Sequence, residues 1–318
     1  MILCWHLSHV FEKCVDKEMH ALCWLIAVLL LTAAAWTIRS NIVLHRYKQI
    51  YARIINVAPH EHVPRVTLHQ EYDAHGKIPK IIHITLEDKT STCCTAKVRQ
   101  IQQQYPDWKL RVYDNADCIA FITQHFDPPV VQAYHKINPK YGAMRADLFR
   151  YCVLFVSGGF YIDFTLDLPA QLDMLDLSAD AYLVPLQSKN LYRKRKKAYA
   201  MYEQWAMLFK PSHPYLKTIV ESITFNILNN VFPPYDVKWY ELSFLFSDNK
   251  SFRPGKHAVL NITGPDAFSA GIHECTHGNL HAILHMKRVV QKNVKHNLYV
   301  NRKHYSELEE PIYVPGFH

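Results

Sequence analysis

The hydrophobic pattern divides the chain into a front and a body. Ala21 to Ile38, ALCWLIAVLLLTAAAWTI, carries no charge. As a helix this run spans about 27 Å, close to the hydrocarbon thickness of a thin bilayer. Trp24 and Trp36 stand near its ends, where indoles favour the membrane interface. The expectation is a membrane anchor over 21–38 behind a tail over 1–20. A cleaved signal peptide is the competing reading: Ala33 and Ala35 offer a small-x-small site, but a lead containing Glu12, Asp16 and Glu18 is a poor n-region. Residues 39–77 are polar, His-rich and without a sustained period, and read as a stem. After Pro79 the body begins. Lys80 to Thr85 is β-rich, and Val98, Ile101 and Tyr105 repeat at helical spacing up to Pro106. Leu110 to Tyr113 alternates as a strand, with Asp114 or Asn115 placed to cap the next helix. This β-α-β-α order predicts an α/β sheet with right-handed crossovers.

The most informative stretch is Tyr141 to Asp167, YGAMRADLFRYCVLFVSGGFYIDFTLD. Phe149, Val153 and Val156 share one helix face, Gly158 and Gly159 stop the helix, and Phe160-Tyr161-Ile162 makes a strand. Asp163 then arrives at the strand's carboxyl end, where open α/β sheets bind ligands. Asp147 and Arg150 are spaced i, i+3 and can pair on the helix.

Composition narrows the classes. With 318 residues and 49% hydrophobic content the chain can bury a real core, which excludes disorder as its main state. Eight Cys are too few for a disulfide-built scaffold. Only nine Gly are present, and neither G-x-G-x-x-G, G-x-x-x-x-G-K-[ST] nor G-x-S-x-G occurs. The net charge of +8 suits anionic partners such as nucleoside diphosphates or a membrane surface.

Five pieces in order, IPKIIHIT, YPDWKLRVYDNADC, RADLFRYCVLFVSGGFYID, FKPSHPYLK and ITGPDAF, resemble glycosyltransferase family 32. That family holds the DXD-containing sugar transferases, among them the initiating α-1,6-mannosyltransferase and the inositol-phosphoceramide mannosyltransferases. The likeness runs from about residue 78 to 270. It implies a GT-A type, Rossmann-like α/β domain over 78–318 that binds a UDP- or GDP-hexose and moves the hexosyl group, with retention, to a hydroxyl of a glycan or glycolipid. It also implies a divalent ion, Mn²⁺ or Mg²⁺, on the diphosphate. Position by position, Asp163 matches the first Asp of the DXD motif, and Arg145 with Asp147 matches an Arg-x-Asp that contacts the donor. Arg150 is expected to brace Asp147. Ile84 and Thr85 lie beside the nucleotide, Tyr161 shapes the turn, and Gly264 and Pro265 line the sugar pocket. One departure stands out: Thr165 occupies the place of the second Asp. On a continuing strand Asp167 would share the face of Asp163 and could serve the metal instead, with His304 as a further metal ligand.

Three other features carry alternatives. His273, Cys275, His277, His281 and His285 form a soft-ligand cluster that supports a zinc-binding protein. The missing Asp supports an inactive relative. Arg193 to Lys197, RKRKK, suits a lipid surface, an acidic acceptor, nucleic acid or a solvated loop, but no RNA-binding or helix-turn-helix pattern accompanies it, so no nucleic-acid partner is expected. The resemblance implies a Golgi or ER location with the body in the lumen, as do the glycosylation acceptors at Asn249 and Asn261. The flanking charges point the other way: Lys13 and Lys17 precede the apolar run, whereas Arg39, Arg46, Lys48 and Arg53 follow it.

Overall fold

A computed structural model describes residues 17–55, 62–90, 92–169, 172–186, 199–232, 254–275, 280–286 and 304–314. Helix α1, Lys17–Ile54, continues well past Ile38, because no Gly or Pro lies between 39 and 54 to stop it. Trp24–Ile54 is long and apolar enough to cross a membrane, with a mean hydropathy of 1.6 in its most apolar window. Leu22, Trp24, Leu25 and Leu29 to Leu31 all lie exposed on it. The helix up to Ile50 belongs to one compact unit, and the sheet belongs to another that begins at Tyr51.

In the second unit the sheet order is β2-β1-β3-β5-β4-β6. Strands β1 (Ile81–Thr85), β2 (Lys109–Tyr113) and β3 (Gly159–Ile162) are mutually parallel about β1. Strand β5 (Tyr202–Phe209) runs antiparallel to both β3 and β4 (Ala181–Pro185), and the short β6 (Ala282–Ile283) joins β4 in parallel. The expected α/β class is therefore observed, as a mixed sheet.

Alternation along the strands sorts the side chains into two layers. Ile82, Ile84, Phe160, Ile162, Tyr182, Val184 and Leu208 form one core with Cys94 and Ile101 of α2 (Thr92–Gln104), together with Tyr105 and Trp108 beyond it. Trp108 is a core residue, and its Nε1 donates to Asp173 at 2.6 Å. The opposite face carries His83, Tyr113 and Tyr161. The Tyr113 ring packs on Phe149 of α5 (Gly142–Ser157) at 4.9 Å. Helix α3 (Asn115–His125) starts at Asp114 in a capping box with Asp117, which confirms the predicted cap. Helices α4 (Pro128–Lys136), α6 (Pro214–Leu228), α7 (Pro254–Ile262) and α8 (Pro265–Glu274) are the other α-helices among the described residues of this unit. His213 caps α6 by accepting from the Tyr215 N–H.

The stretch expected as a stem is partly built into this unit. Val63 exchanges two hydrogen bonds with the Asn229 side chain, and the Leu68 N–H donates to Glu221 at 2.7 Å. At the far end of the chain, Ile312 N–H donates to Ile54 C=O, and Tyr51 and Ile54 are buried.

The step from α5 into β3 fixes the site. Gly158 (φ +59°) and Gly159 (φ +97°) turn the chain where an L side chain is strained. A Cβ on Gly159 would meet the Ile81 carbonyl oxygen at 2.5 Å. Buried His83, held neutral with its pKa lowered to about 3 by burial, sets its Nε2 2.9 Å from the Gly158 carbonyl oxygen. Substituting Gly159→Ala is expected to lower the unfolding free energy by roughly 2 kcal/mol or more, measured by denaturant titration of the detergent-solubilised chain. An unchanged midpoint would contradict this account of the turn.

Candidate active site

Asp163 leaves the end of β3 on the same face as Tyr161, because strand side chains alternate. Its side chain is 28% exposed. Arg150, one α5 turn below Asp147, reaches both acids. Its Nη2 lies 3.1 Å from Asp147 Oδ1 and its Nη1 3.2 Å from Asp163 Oδ1. The same guanidinium sits over the Tyr161 ring at 4.6 Å, donates to the Gln204 carbonyl at 2.9 Å, and donates from Nε to the Ala146 carbonyl at 3.3 Å. The Tyr161 hydroxyl in turn donates to Asp163 at 3.3 Å and lies 2.8 Å from the Thr85 hydroxyl. The ends of β1 and β3 are thus joined through side chains at the sheet's carboxyl edge.

Asp147 points inward. Its Oδ1 accepts from Gln204 Nε2 at 2.8 Å and its Oδ2 from the Thr263 hydroxyl at 2.9 Å. The Tyr151 hydroxyl donates to Gln204 Oε1 and to the Thr263 carbonyl. Gln204 lies next to a register shift between β4 and β5, where β5 leaves regular pairing. Burial pushes the Asp147 carboxyl up to about 6, and Arg150, Thr263 and Gln204 hold back part of that rise. Burial disfavours the Arg150 cation, yet Asp163, Tyr161 and Asp147 outweigh it and raise its pKa above the ordinary arginine value. Arg150 therefore stays charged at any working pH.

The expected site residues are placed as follows. Arg145 turns toward its own chain: Nε and Nη2 both donate to the Ile137 carbonyl, at 3.1 and 2.8 Å, and the guanidinium lies 5.3 Å from the centre of the Tyr134 ring. Ile84 is buried, and Thr85 and Tyr161 sit beside Asp163. Gly264 and Pro265 are buried at the start of α8, where a Cβ on Gly264 would meet Leu260 Cα at 2.7 Å. The continuing strand on which Asp167 was expected to follow Asp163 does not form. The Leu166 N–H donates back to the Asp163 carbonyl at 3.0 Å, closing a turn through Phe164 and Thr165 that ends the alternation. Asp167 instead pairs with the buried Lys97 of α2 at 3.5 Å. His304 lies against Tyr305, with ring centres 4.2 Å apart.

These residues do not build a divalent site by themselves. Among the described residues no three His, Cys, Asp or Glu side chains come together to hold a metal ion. Asp163 is one carboxylate already facing a guanidinium, and Thr165 supplies only a neutral hydroxyl.

The zinc reading gains no geometry either. His273 stacks on Tyr199, and His281 lies 2.7 Å from the Tyr202 hydroxyl, while His277 falls outside the described residues. So do Arg193 to Lys197 and the Asn249 acceptor. At the Asn261 acceptor, Thr263 is fully buried and bonded to Asp147, while Asn261 itself is half-exposed. Gln204 and Tyr151 had no signal in the sequence beyond being polar residues within apolar runs, and Lys97 had none on its polar helix.

Residues 90–181 match the family model described as a glycosyltransferase sugar-binding region containing a DXD motif. The match bears out the resemblance to the DXD-containing sugar transferases. The matched span runs from α2 to the first residue of β4 and holds Arg145, Asp147, Arg150 and Asp163. Two curated proteins are similar to this chain, both named initiation-specific alpha-1,6-mannosyltransferase. The Schizosaccharomyces pombe protein is 26% identical over 242 residues, covering 68% of this chain and 53% of the relative. The Candida albicans protein is 25% identical over 267 residues, covering 76% and 63%. The chain thus spans about half to two thirds of the length of these relatives. Among solved structures, PaToxG glycosyltransferase aligns with a TM-score of 0.36 at 12% identity, over 76% of this chain and 80% of that one. The ligand-free glycosyltransferase domain of the YGT toxin aligns with a TM-score of 0.33 at 12% identity, over 63% and 58%.

Two outcomes follow from the buried network. Arg150→Met leaves Asp147 buried without its counter-charge and is expected to cost roughly 3–5 kcal/mol of stability, read from denaturant midpoints. A loss under about 1 kcal/mol, the size of an exposed pair, would contradict the network. The second outcome concerns pH. A raised carboxyl pKa means that the native state holds its proton more tightly than the unfolded chain. The contribution of Asp147 is therefore greatest below its ordinary value of 3.8 and is lost as pH rises through about 6. The Asp147→Asn variant should show a correspondingly flatter stability profile across that window, and an unaltered slope would count against the assignment.

Proposed function

We propose that this chain transfers a hexosyl group from a nucleotide diphosphate sugar, a UDP- or GDP-hexose, to a hydroxyl of a glycan or glycolipid, with retention at the anomeric carbon. The observation that carries the reading is the position of Asp163. It is a partly exposed carboxylate at the carboxyl end of β3, beside β1, held by a buried cation in a region that matches the DXD sugar-binding model.

Transfer breaks the bond between the sugar and the phosphate and leaves negative charge on the departing nucleoside diphosphate. DXD-containing domains generally imply a divalent ion, here Mn²⁺ or Mg²⁺, which when bound supplies charge for that step. The chain's own groups do the positioning. Arg150 and Tyr161 fix the Asp163 carboxylate, and Thr85 and Ile84 close β1 on the nucleotide side. The half-buried Arg145 ties the start of α5 to the Ile137 carbonyl, which sets the height of the helix that carries Arg150.

The proposal includes anchoring through 21–38, extended by the rest of α1, and a Golgi or ER setting with the body in the lumen. The relatives' names support a place in the secretory pathway, whereas the flanking charges favour the reverse orientation. A second reading, a relative that binds donor without turning it over, is favoured by Thr165 in place of the second Asp.

Donor hydrolysis and transfer by the full chain in detergent test the proposal. A donor at 100 times its dissociation constant should stabilise the protein by about 2.7 kcal/mol in a thermal shift across a panel of nucleotide sugars. The Asp163→Ala variant is expected to lose about 100-fold or more in turnover. Unchanged turnover would mean that the chemistry lies elsewhere, and stabilisation without turnover would select the inactive reading.

A further inference from the structure

The acidic turn that follows β3 is already matched by cations belonging to the protein. Arg150 Nη1 stands 3.2 Å from Asp163 Oδ1, and the guanidinium is itself bound on its inner side by Asp147 and the Gln204 carbonyl. It is not a mobile surface arginine that could swing away at little cost. Four residues on, Lys97 Nζ stands 3.5 Å from Asp167 Oδ1 and donates to the Leu166 carbonyl at 2.6 Å, with its own side chain only 2% exposed. The turn closed from Leu166 to Asp163 sends the two carboxylates toward different elements, α5 and α2. Between them Thr165 brings no charge.

Hard divalent ions need about six oxygen ligands, and Mg²⁺ in particular is commonly held by one or two carboxylates together with substrate phosphates. Among the described residues only Asp163 is offered at this turn, and an approaching cation meets Arg150 beside it. We infer that the protein alone does not retain a divalent cation, and that any ion at Asp163 is recruited together with the donor's diphosphate. The diphosphate oxygens then supply the ligands and the negative charge that the turn lacks. This inference rests on the donor-site reading above.

The test measures free Mn²⁺ by electron paramagnetic resonance with the full chain in detergent. It is run first with the metal alone, then with UDP or GDP added, while calorimetry follows nucleotide binding with and without Mn²⁺. The expected result is no uptake of Mn²⁺ by the protein alone. With nucleotide present, uptake should exceed that of the nucleotide in buffer and should disappear in Asp163→Asn. Thr165→Asp should take up Mn²⁺ without nucleotide, with affinity raised about tenfold or more by the added carboxylate. Stoichiometric uptake by the unaltered chain without nucleotide, lost in Asp163→Asn, overturns the inference. Nucleotide that binds equally well without Mn²⁺ and draws no ion overturns the recruitment while leaving the donor site standing. Nucleotide that does not bind in any condition removes the donor-site reading itself, and the inference with it.

Discussion

A single buried guanidinium holds the sheet's carboxyl edge together. Arg150 lies between Asp147, which is closed inside the protein, and Asp163, which opens to solvent. Moving such charges out of water costs several kcal/mol for each ion, and the arrangement persists only because the remaining donors and acceptors are satisfied. Here they are: α5 supplies Arg150, Asp147 and the Ala146 carbonyl, β5 supplies Gln204, β3 supplies Tyr161, and the turn between α7 and α8 supplies Thr263. Three of these parts touch the cation and the fourth reaches it through Asp147, so the direction of Asp163 is determined by the whole unit rather than by the turn that carries it.

This division of labour separates the two acids that a family resemblance would group together. Asp147 is an internal brace, with both oxygens engaged by the chain's own donors. Asp163 keeps part of its surface available. Arg145 follows the same inward pattern, fastening the start of α5 to the loop after α4. That loop is joined in turn by the C-terminal segment, since Asn138 N–H donates to the Ile312 carbonyl and Ile137 bridges Tyr313. The same segment meets the end of α1 through Ile54. The last turn of that long helix is therefore structurally part of the unit that carries the candidate site.

Much of this frame was legible in the sequence because local physics sets it. The apolar run predicts α1, the Asp114 cap starts α3, and the glycine pair stops α5 and aims β3, so Asp163 falls at a strand end without any knowledge of the fold. What escaped depends on distant contacts. Gln204 meets Asp147 across 57 positions, Thr263 across 116, and Lys97 meets Leu166 across 69. No local pattern encodes such meetings. The turn after Asp163 was hidden for a related reason. Phe164 and Thr165 have strand-favouring side chains, and only the closing hydrogen bond from Leu166 and the pull of Lys97 on the following residues end the strand. The length of α1 was missed because charge does not stop a helix, whereas a missing Gly or Pro lets it run.

The central claim is that Asp163, steadied by Arg150, marks the place where a nucleoside diphosphate binds. Determining the structure of the full chain with Mn²⁺ and UDP or GDP tests it most directly. The account predicts the diphosphate at the carboxyl edge of β1 and β3, within one ion's reach of the Asp163 carboxylate, with the Arg150 bridge to Asp147 intact. A nucleotide found on another part of the molecule, with that edge unchanged and unoccupied, would contradict it.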